Sequence, residues 1–123
     1  FPKNQVPDDT LNQLKKIILS FAGGFNAHVN FMRGIHPCNI CGERVFIDGD
    51  TKRVGLGRSE IWIPSCVLGQ YFAAPSLVFH YIKDHGYQPP RDFIGAVLKL
   101  DMVIEFNAQN VYEQSVKKSG DQR

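Results

Sequence analysis

The sequence has no hydrophobic run long enough to cross a membrane. Its longest apolar stretch, residues 17–22, is six residues long and is interrupted by Ser20, whereas a membrane-spanning helix needs about 20. No signal-peptide pattern surrounds this stretch. We therefore expect no membrane partner, and we interpret the 123 residues, 43% of them hydrophobic, as one globular domain with a modest core.

Cysteine is scarce, with only Cys38, Cys41 and Cys66 in the chain. An odd and small number excludes a disulfide framework and favours a reducing compartment, so we predict a cytoplasmic location. The short spacing from Cys38 to Cys41 is typical of a metal site or a redox pair.

The sequence also lacks a strong excess of one charge. Its net charge is +2 and its pI is about 8.5, whereas nucleic-acid-binding domains usually have a pI above about 9 and cluster their basic residues. This balance permits binding to a polyanion without favouring it. The basic residues around the predicted hairpin are the candidate phosphate contacts: Arg44, Lys52, Arg53 and Arg58.

Several enzyme signatures are missing. The GLG at residues 55–57 lies between predicted strands and not before a helix, so it is no phosphate loop, and no Gly-x-Ser-x-Gly elbow occurs. "HPCNIC" contains the Pro-Cys-x-x-Cys half of the zinc deaminase signature, which also needs an upstream His-x-Glu. The upstream candidate, His28-Val29-Asn30, has no glutamate to transfer a proton, which excludes a deaminase.

Periodicity predicts a helix, a hairpin and two more helices. The first helix follows a capping stretch at residues 8–10 and ends at Gly23-Gly24, and residues 25–35 show no clear period. Strands are predicted at residues 45–47 and 60–63, paired through a turn at 48–50, with Pro64 closing the second.

Further along the chain, Pro75 at a first helical position indicates a helix that Gly86 ends. The two prolines at residues 89–90 precede a shorter helix at residues 91–100. We expect residues 101–106 to form an edge strand, with an extension of the preceding helix as the alternative, and the polar chain from Gln109 to fray.

The second half of a metal site is predicted in "FHYIKDHGY". With Cys38 and Cys41, the histidines His80 and His85 give the Cys-x2-Cys and His-x4-His pairs that zinc sites use. The pairs are separated by 38 residues, where a DNA-binding finger has about 12. Because residues i and i+5 lie about 140° apart on a regular helix, both histidines can reach one ion only if the helix loosens or ends there.

Other interpretations of these residues stay open. The cysteines could be a redox pair, and His80 and His85 could be structural, in the core and at a helix C-terminus. His36 and Cys66 are reserve ligands, although Cys66 fits better as a small buried hydrophobe. Four protein ligands close a zinc site, so the set predicts one structural Zn²⁺ per chain and no catalytic residue.

Residues 36–98 resemble a family of small, uncharacterised bacterial proteins. The shared pattern is CxxC, an apolar strand and then APxLxxHYxxxHGYxPPxxFxxAV, which stands here as "APSLVFHYIKDHGYQPPRDFIGAV" at residues 74–97. The resemblance implies that the four ligands act as a unit and that the source is bacterial. It implies no reaction.

We therefore predict a single domain with an α+β fold: an N-terminal helical segment (1–35), a zinc-binding unit like a stretched ββα finger (36–98) and a C-terminal extension (99–123), with the C-terminal helix at residues 91–100. The predicted function is a non-enzymatic module that binds another protein, of which a small neutralising or immunity protein would be one case. Nucleic-acid binding is the alternative, and a metal-dependent nuclease is less favoured. The oligomeric state is left open. The candidate interaction aromatics are Trp62, Tyr71 and Phe72.

Overall fold

The first helix forms in the predicted region, but residues 8–10, predicted to cap it, lie within its first turn, and Pro7 precedes it without a side-chain cap bond. In a computed structural model that describes residues 6–20, 24–49, 53–65, 67, 69–102 and 104–121, α1 spans Asp8–Leu19. Pro7 precedes it in an extended conformation. Acidic residues occupy its first turn, where their negative charge interacts favourably with the helix dipole. Its buried stripe packs into the core through Leu14, Ile17 and Ile18. The helix ends at Leu19, with Ser20 as its C-cap, so the predicted stop at Gly23-Gly24 is wrong.

Seven short strands in the described residues form three small sheets. The strands are β1 (Phe25–Asn26), β2 (His28–Val29), β3 (Phe46–Asp48), β4 (Arg53–Gly55), β5 (Glu60–Pro64), β6 (Tyr71–Pro75) and β7 (Phe106–Asn107). The largest sheet is antiparallel with the order β2-β5-β6, so β6 lies at its edge. Strands β3 and β4 form a hairpin, and β1 pairs with β7 in parallel.

The predicted pairing of residues 45–47 with residues 60–63 is wrong. Strand β3 pairs instead with β4, where Ile47 lies opposite Val54. The chain then bends at Gly57, whose φ is +78°, and β5 continues into the centre of the other sheet. Ile61 and Ile63 are fully buried there, and strands on both sides of β5 satisfy its backbone hydrogen bonds.

The remaining helices are α2 (Val78–His85), α3 (Arg91–Lys99) and α4 (Ala108–Asp121). Pro75 is the last residue of β6 and not a helix start, so that prediction is wrong. The edge strand expected at residues 101–106 is reduced to β7. The polar C-terminal stretch, expected to fray, is helical, and the Tyr112 ring of α4 packs edge-on against Trp62.

Helices and sheets share one hydrophobic core, which confirms the α+β class. It joins Leu14 of α1, Ile63 of β5, Ile82 of α2 and Val97 of α3, all fully buried. No helix within the described residues combines the length and apolar character that crossing a bilayer requires. The core thus holds α2 next to α1, and α2 carries half of the predicted metal site.

Candidate metal centre

The structure brings the four predicted ligands together. One ligand atom from each of Cys38, Cys41, His80 and His85 lies within 4.8 Å of every other. Cys38 and His80 are buried, His85 is half-buried and Cys41 is exposed. Thirty-eight residues of intervening chain are therefore no obstacle, and the cluster could hold a metal ion.

Three of the six distances between ligand atoms are close to those of a zinc tetrahedron. Bonds of about 2.3 Å to sulfur and about 2.0–2.1 Å to nitrogen place two nitrogens about 3.4 Å apart and a nitrogen and a sulfur about 3.6 Å apart. Here the Nε2 atoms of His80 and His85 are 3.1 Å apart. Each also faces a sulfur at 3.5 Å, His85 that of Cys38 and His80 that of Cys41. An ion among these atoms would need little rearrangement.

A tight turn positions the two cysteines. Gly42 donates its backbone N–H to the Cys38 carbonyl oxygen at 2.8 Å, and Cys38 donates its own to Glu43 at 2.9 Å. Gly42 has a φ of +74°, a conformation that glycine adopts without steric cost. The Ile40 N–H points at the Cys38 sulfur, 3.4 Å away. We call residues 38–41 the knuckle.

The two histidines can share a site because α2 ends directly after His85. Gly86 is left-handed, with a φ of +68°, and its N–H bonds to the Tyr81 carbonyl oxygen five residues back. Tyr87 donates to the same oxygen at 2.9 Å. This wider last turn ends the regular helix at His85, whose ring meets that of His80 at 90° with centroids 4.7 Å apart. The need for a helix end at this spacing was predictable.

The environment of Cys38 favours its thiolate, which is the form that binds metal. Burial alone would raise the pKa of the thiol. The backbone N–H groups of Cys41 and Ile40, together with the Cys41 side chain, outweigh that effect and lower the Cys38 pKa below its usual value. Protons therefore compete less with a metal ion for this sulfur.

Asp84 is a supporting residue that the sequence interpretation missed. Its Oδ2 lies 2.7 Å from Nδ1 of His80, one helical turn earlier. The carboxylate accepts a hydrogen bond from Nδ1–H, so Nε2 carries the lone pair that faces the cluster. An acidic residue four positions after a histidine ligand on a helix was the available signal.

The reserve ligand His36 is not part of the cluster. Its side chain is exposed, and its backbone N–H bonds to the carbonyl oxygen of Gly57 at 2.8 Å. Cys66, the other reserve ligand, lies outside the described residues.

Two of the four candidate phosphate contacts lie against aromatic rings. The Arg53 guanidinium lies 4.7 Å from the centre of the exposed Phe46 ring. That of Arg58 lies 4.5 Å from Phe31 and also donates to the Met32 carbonyl oxygen. Arg44 is exposed, and Lys52 lies outside the described residues.

The candidate interaction aromatics lie on two faces of the large sheet. Trp62 and Tyr71 share one face, with ring centres 5.9 Å apart, and Tyr71 stacks on Phe106. Phe72 points to the opposite face and contacts Phe93 of α3 edge-on. They therefore do not form one continuous patch.

A family model described as a domain of unknown function (DUF7919) matches residues 1–98. Neither the curated proteins nor the solved structures contain a match to this chain. The match confirms an uncharacterised family. It also corrects the extent of the resemblance, which began at residue 36, because the family includes the first 35 residues. The shared motif and the bacterial source stay predictions.

Proposed function

Because the chain belongs to the DUF7919 family, a domain of unknown function, we propose its role from the site itself: a zinc-stabilised, non-enzymatic module that binds another protein. The carrying observation is the convergence of two sulfurs and two imidazole nitrogens within 4.8 Å. Four protein ligands complete a tetrahedral shell and leave no position for substrate or water. Thiolate and imidazole in equal number suit Zn²⁺ best among common divalent ions.

A structural ion here would connect two distant parts of the chain. The knuckle has almost no secondary structure of its own, and the histidines belong to α2, which the core holds. Binding the ion would thus fix the knuckle on the surface beside α2. Since a preformed site is rare in an unfolded chain, the binding energy becomes folding energy.

Apolar exposure around the ion supports a protein partner. Ile40, inside the knuckle, is 64% exposed, and Tyr87, just after α2, is 46% exposed. A metal site that holds exposed apolar side chains in place is suited to contact another protein surface. A neutralising or immunity protein would use such a surface.

Two measurements test this proposal. Protein purified with zinc present should retain one zinc per chain by elemental analysis, and a chelator should lower its thermal stability. Capture from an extract of the source organism, compared between the wild-type chain and Ile40→Gln, should identify proteins that depend on Ile40. A metal-free chain of unchanged stability would contradict the proposal, as would a set of captured proteins that is the same for both baits.

Nucleic-acid binding is the second candidate, favoured by the two arginine–phenylalanine pairs. Exposed aromatic rings next to cations resemble the stacking and phosphate contacts of single-strand binders. Binding of a fluorescent single-stranded oligonucleotide, measured from 20 to 300 mM salt, decides this candidate. Salt-sensitive binding that Arg53→Gln and Arg58→Gln weaken would favour it, and no association at the lowest salt would eliminate it.

A further inference from the structure

An apolar groove follows the free edge of β6 next to the knuckle. It consists of two adjoining depressions of about 360 and 210 Å³ that share Ala73, Ala74, Val78 and Tyr87. The first is also lined by Ile40 of the knuckle and Tyr81 of α2. The second is lined by apolar side chains between β6 and α3: Phe72, Pro89, Pro90 and Phe93.

The backbone of β6 directs hydrogen-bonding groups into this groove. At one end of the pairing with β5, the Gln70 carbonyl oxygen accepts a hydrogen bond from the Ser65 N–H. At the other end, the Ser76 N–H donates to the Ser59 carbonyl oxygen. Because ladder bonds alternate along an antiparallel strand, the intervening Tyr71 and Ala73 turn their N–H and C=O groups away from β5. Within the described residues those groups have no hydrogen-bond partner, and β6 ends its sheet.

We propose that an extended segment of the partner protein pairs with β6 and places apolar side chains in this groove. A helix or a flat surface could not satisfy backbone groups that repeat every second residue, whereas another strand can. The five residues of β6 span about 17 Å and can pair with a segment of similar length. Pro75 has no N–H, so the pairing centres on Tyr71 and Ala73.

The register predicts which side chains the segment carries. Residues directly opposite each other in a sheet point to the same face. A partner residue opposite Phe72 therefore enters the depression near Pro89, and one opposite Ala74 enters that beside Ile40. The segment should have the pattern apolar-x-apolar, and the residue between should face solvent on the side of Ala73.

This inference rests on the proposed function, since the knuckle that carries Ile40 is held against α2 by the metal ligands. Without the ion, the wall formed by Ile40 would no longer be fixed relative to Tyr81. Zinc and partner segment should thus bind with positive coupling, although no group of the segment touches the ion.

The test uses a phage-displayed library of linear heptapeptides, selected against the zinc-loaded wild-type chain. Selected peptides should carry apolar residues two positions apart, and Ile40→Gln should weaken their binding at least tenfold. Ile104→Gln is the matched control, because Ile104 is 46% exposed and lies outside the groove; it should leave the affinity unchanged. N-methylation of single peptide amides should abolish binding at every second position and leave it unchanged at the positions between.

The proposal would be overturned if no peptide were selected. It would also be overturned if the selected peptides bound both variants equally or showed no alternation on N-methylation. A dimer in sedimentation that Ala73→Pro dissociates would overturn it as well, because a second copy of the chain would then occupy the edge. The zinc content of the same preparations is measured separately. One zinc per chain without peptide binding refutes the groove proposal alone, and absence of zinc refutes the proposed function.

Discussion

The Oδ2 atom of Asp84 lies 2.7 Å from the Nδ1 atom of His80, on the side of the ring opposite the metal cluster. Such carboxylate–histidine contacts fix the tautomer and orientation of the ligand, and their loss typically reduces metal affinity 10–100-fold. We predict a decrease of that size for Asp84→Asn. A competition titration with a chromophoric zinc chelator measures it.

Asp92→Asn is the matched control for Asp84. Asp92 is an exposed acidic residue in the first turn of α3 and contacts none of the four ligands, so its substitution should leave zinc affinity within twofold of wild type. Equal affinities of the Asp84 variant and the wild-type chain would show that His80 is oriented by packing alone.

Removing a ligand should destabilise the whole domain. Zinc binding in small structural sites contributes about 10–16 kcal/mol of apparent free energy, so we expect Cys41→Ala and His80→Ala each to lower the free energy of unfolding by more than about 3 kcal/mol. His36→Ala serves as control, since His36 is an exposed histidine outside the cluster. Urea unfolding with zinc present measures the differences, and ligand variants as stable as the control would contradict a structural ion.

Acid should destabilise the fold through His28. Its Nε2 lies 2.7 Å from the Ile18 carbonyl oxygen and its Nδ1 lies 2.6 Å from Ser59 Oγ. Burial lowers the His28 pKa, and the bond to Ile18 offsets that effect only in part. The folded chain therefore binds this proton less readily than the unfolded chain, whose histidine titrates near about 6.5.

The sign of the pH dependence follows from that difference. Above about pH 6.5 the histidine is neutral in both states, and its contribution is fully present. Below it the unfolded state gains a proton first, so stability falls, by at most about 1.4 kcal/mol per pH unit. We expect His28→Gln to be less stable than wild type at pH 8. Between pH 7 and 5, its free energy of unfolding should decrease less than that of wild type. Parallel decreases in urea unfolding would contradict this role.

Gly57 should tolerate no side chain. A Cβ at Gly57 would overlap the backbone oxygen of His36, two residues before Cys38, and the φ of Gly57 is +78°. Gly69 has a similar φ of +84°, but among the described residues no atom lies within 4 Å of a Cβ placed there. Gly69→Ala should therefore cost only the conformational penalty of about 1–2 kcal/mol, and Gly57→Ala clearly more. Equal melting temperatures would contradict the close approach of the two segments.

The metal cluster was predictable because ligand chemistry restricts it to a few residue types. Cys38, Cys41, His80 and His85 could be paired from their spacing alone, and Gly86 indicated how a helix could present two histidines five residues apart. Asp84 was missed because an aspartate at i+4 usually means an ordinary exposed helical residue. Only the rotamer of His80 shows that the carboxylate is in use.

The errors in the fold come from contacts that are distant in sequence. The hairpin was assigned to the wrong strand because β4 is short and contains Arg53 and Gly55, whereas β5 has the stronger apolar pattern. The actual pairing depends on the bend at Gly57 and the burial of Ile61. The C-terminal helix was missed because its sequence is polar, yet Tyr112 packs on Trp62 and the Gln109 side chain accepts the Asn30 N–H at 2.6 Å.

X-ray absorption at the zinc K edge, on the chain loaded with one equivalent of zinc, tests the central claim most directly. The geometry predicts two sulfur neighbours at about 2.3 Å and two nitrogen neighbours at about 2.0–2.1 Å, with the sulfur signal reduced in Cys41→Ala. A first shell of oxygen and nitrogen only, or a chain that does not retain the ion, would contradict a structural Cys2His2 zinc site.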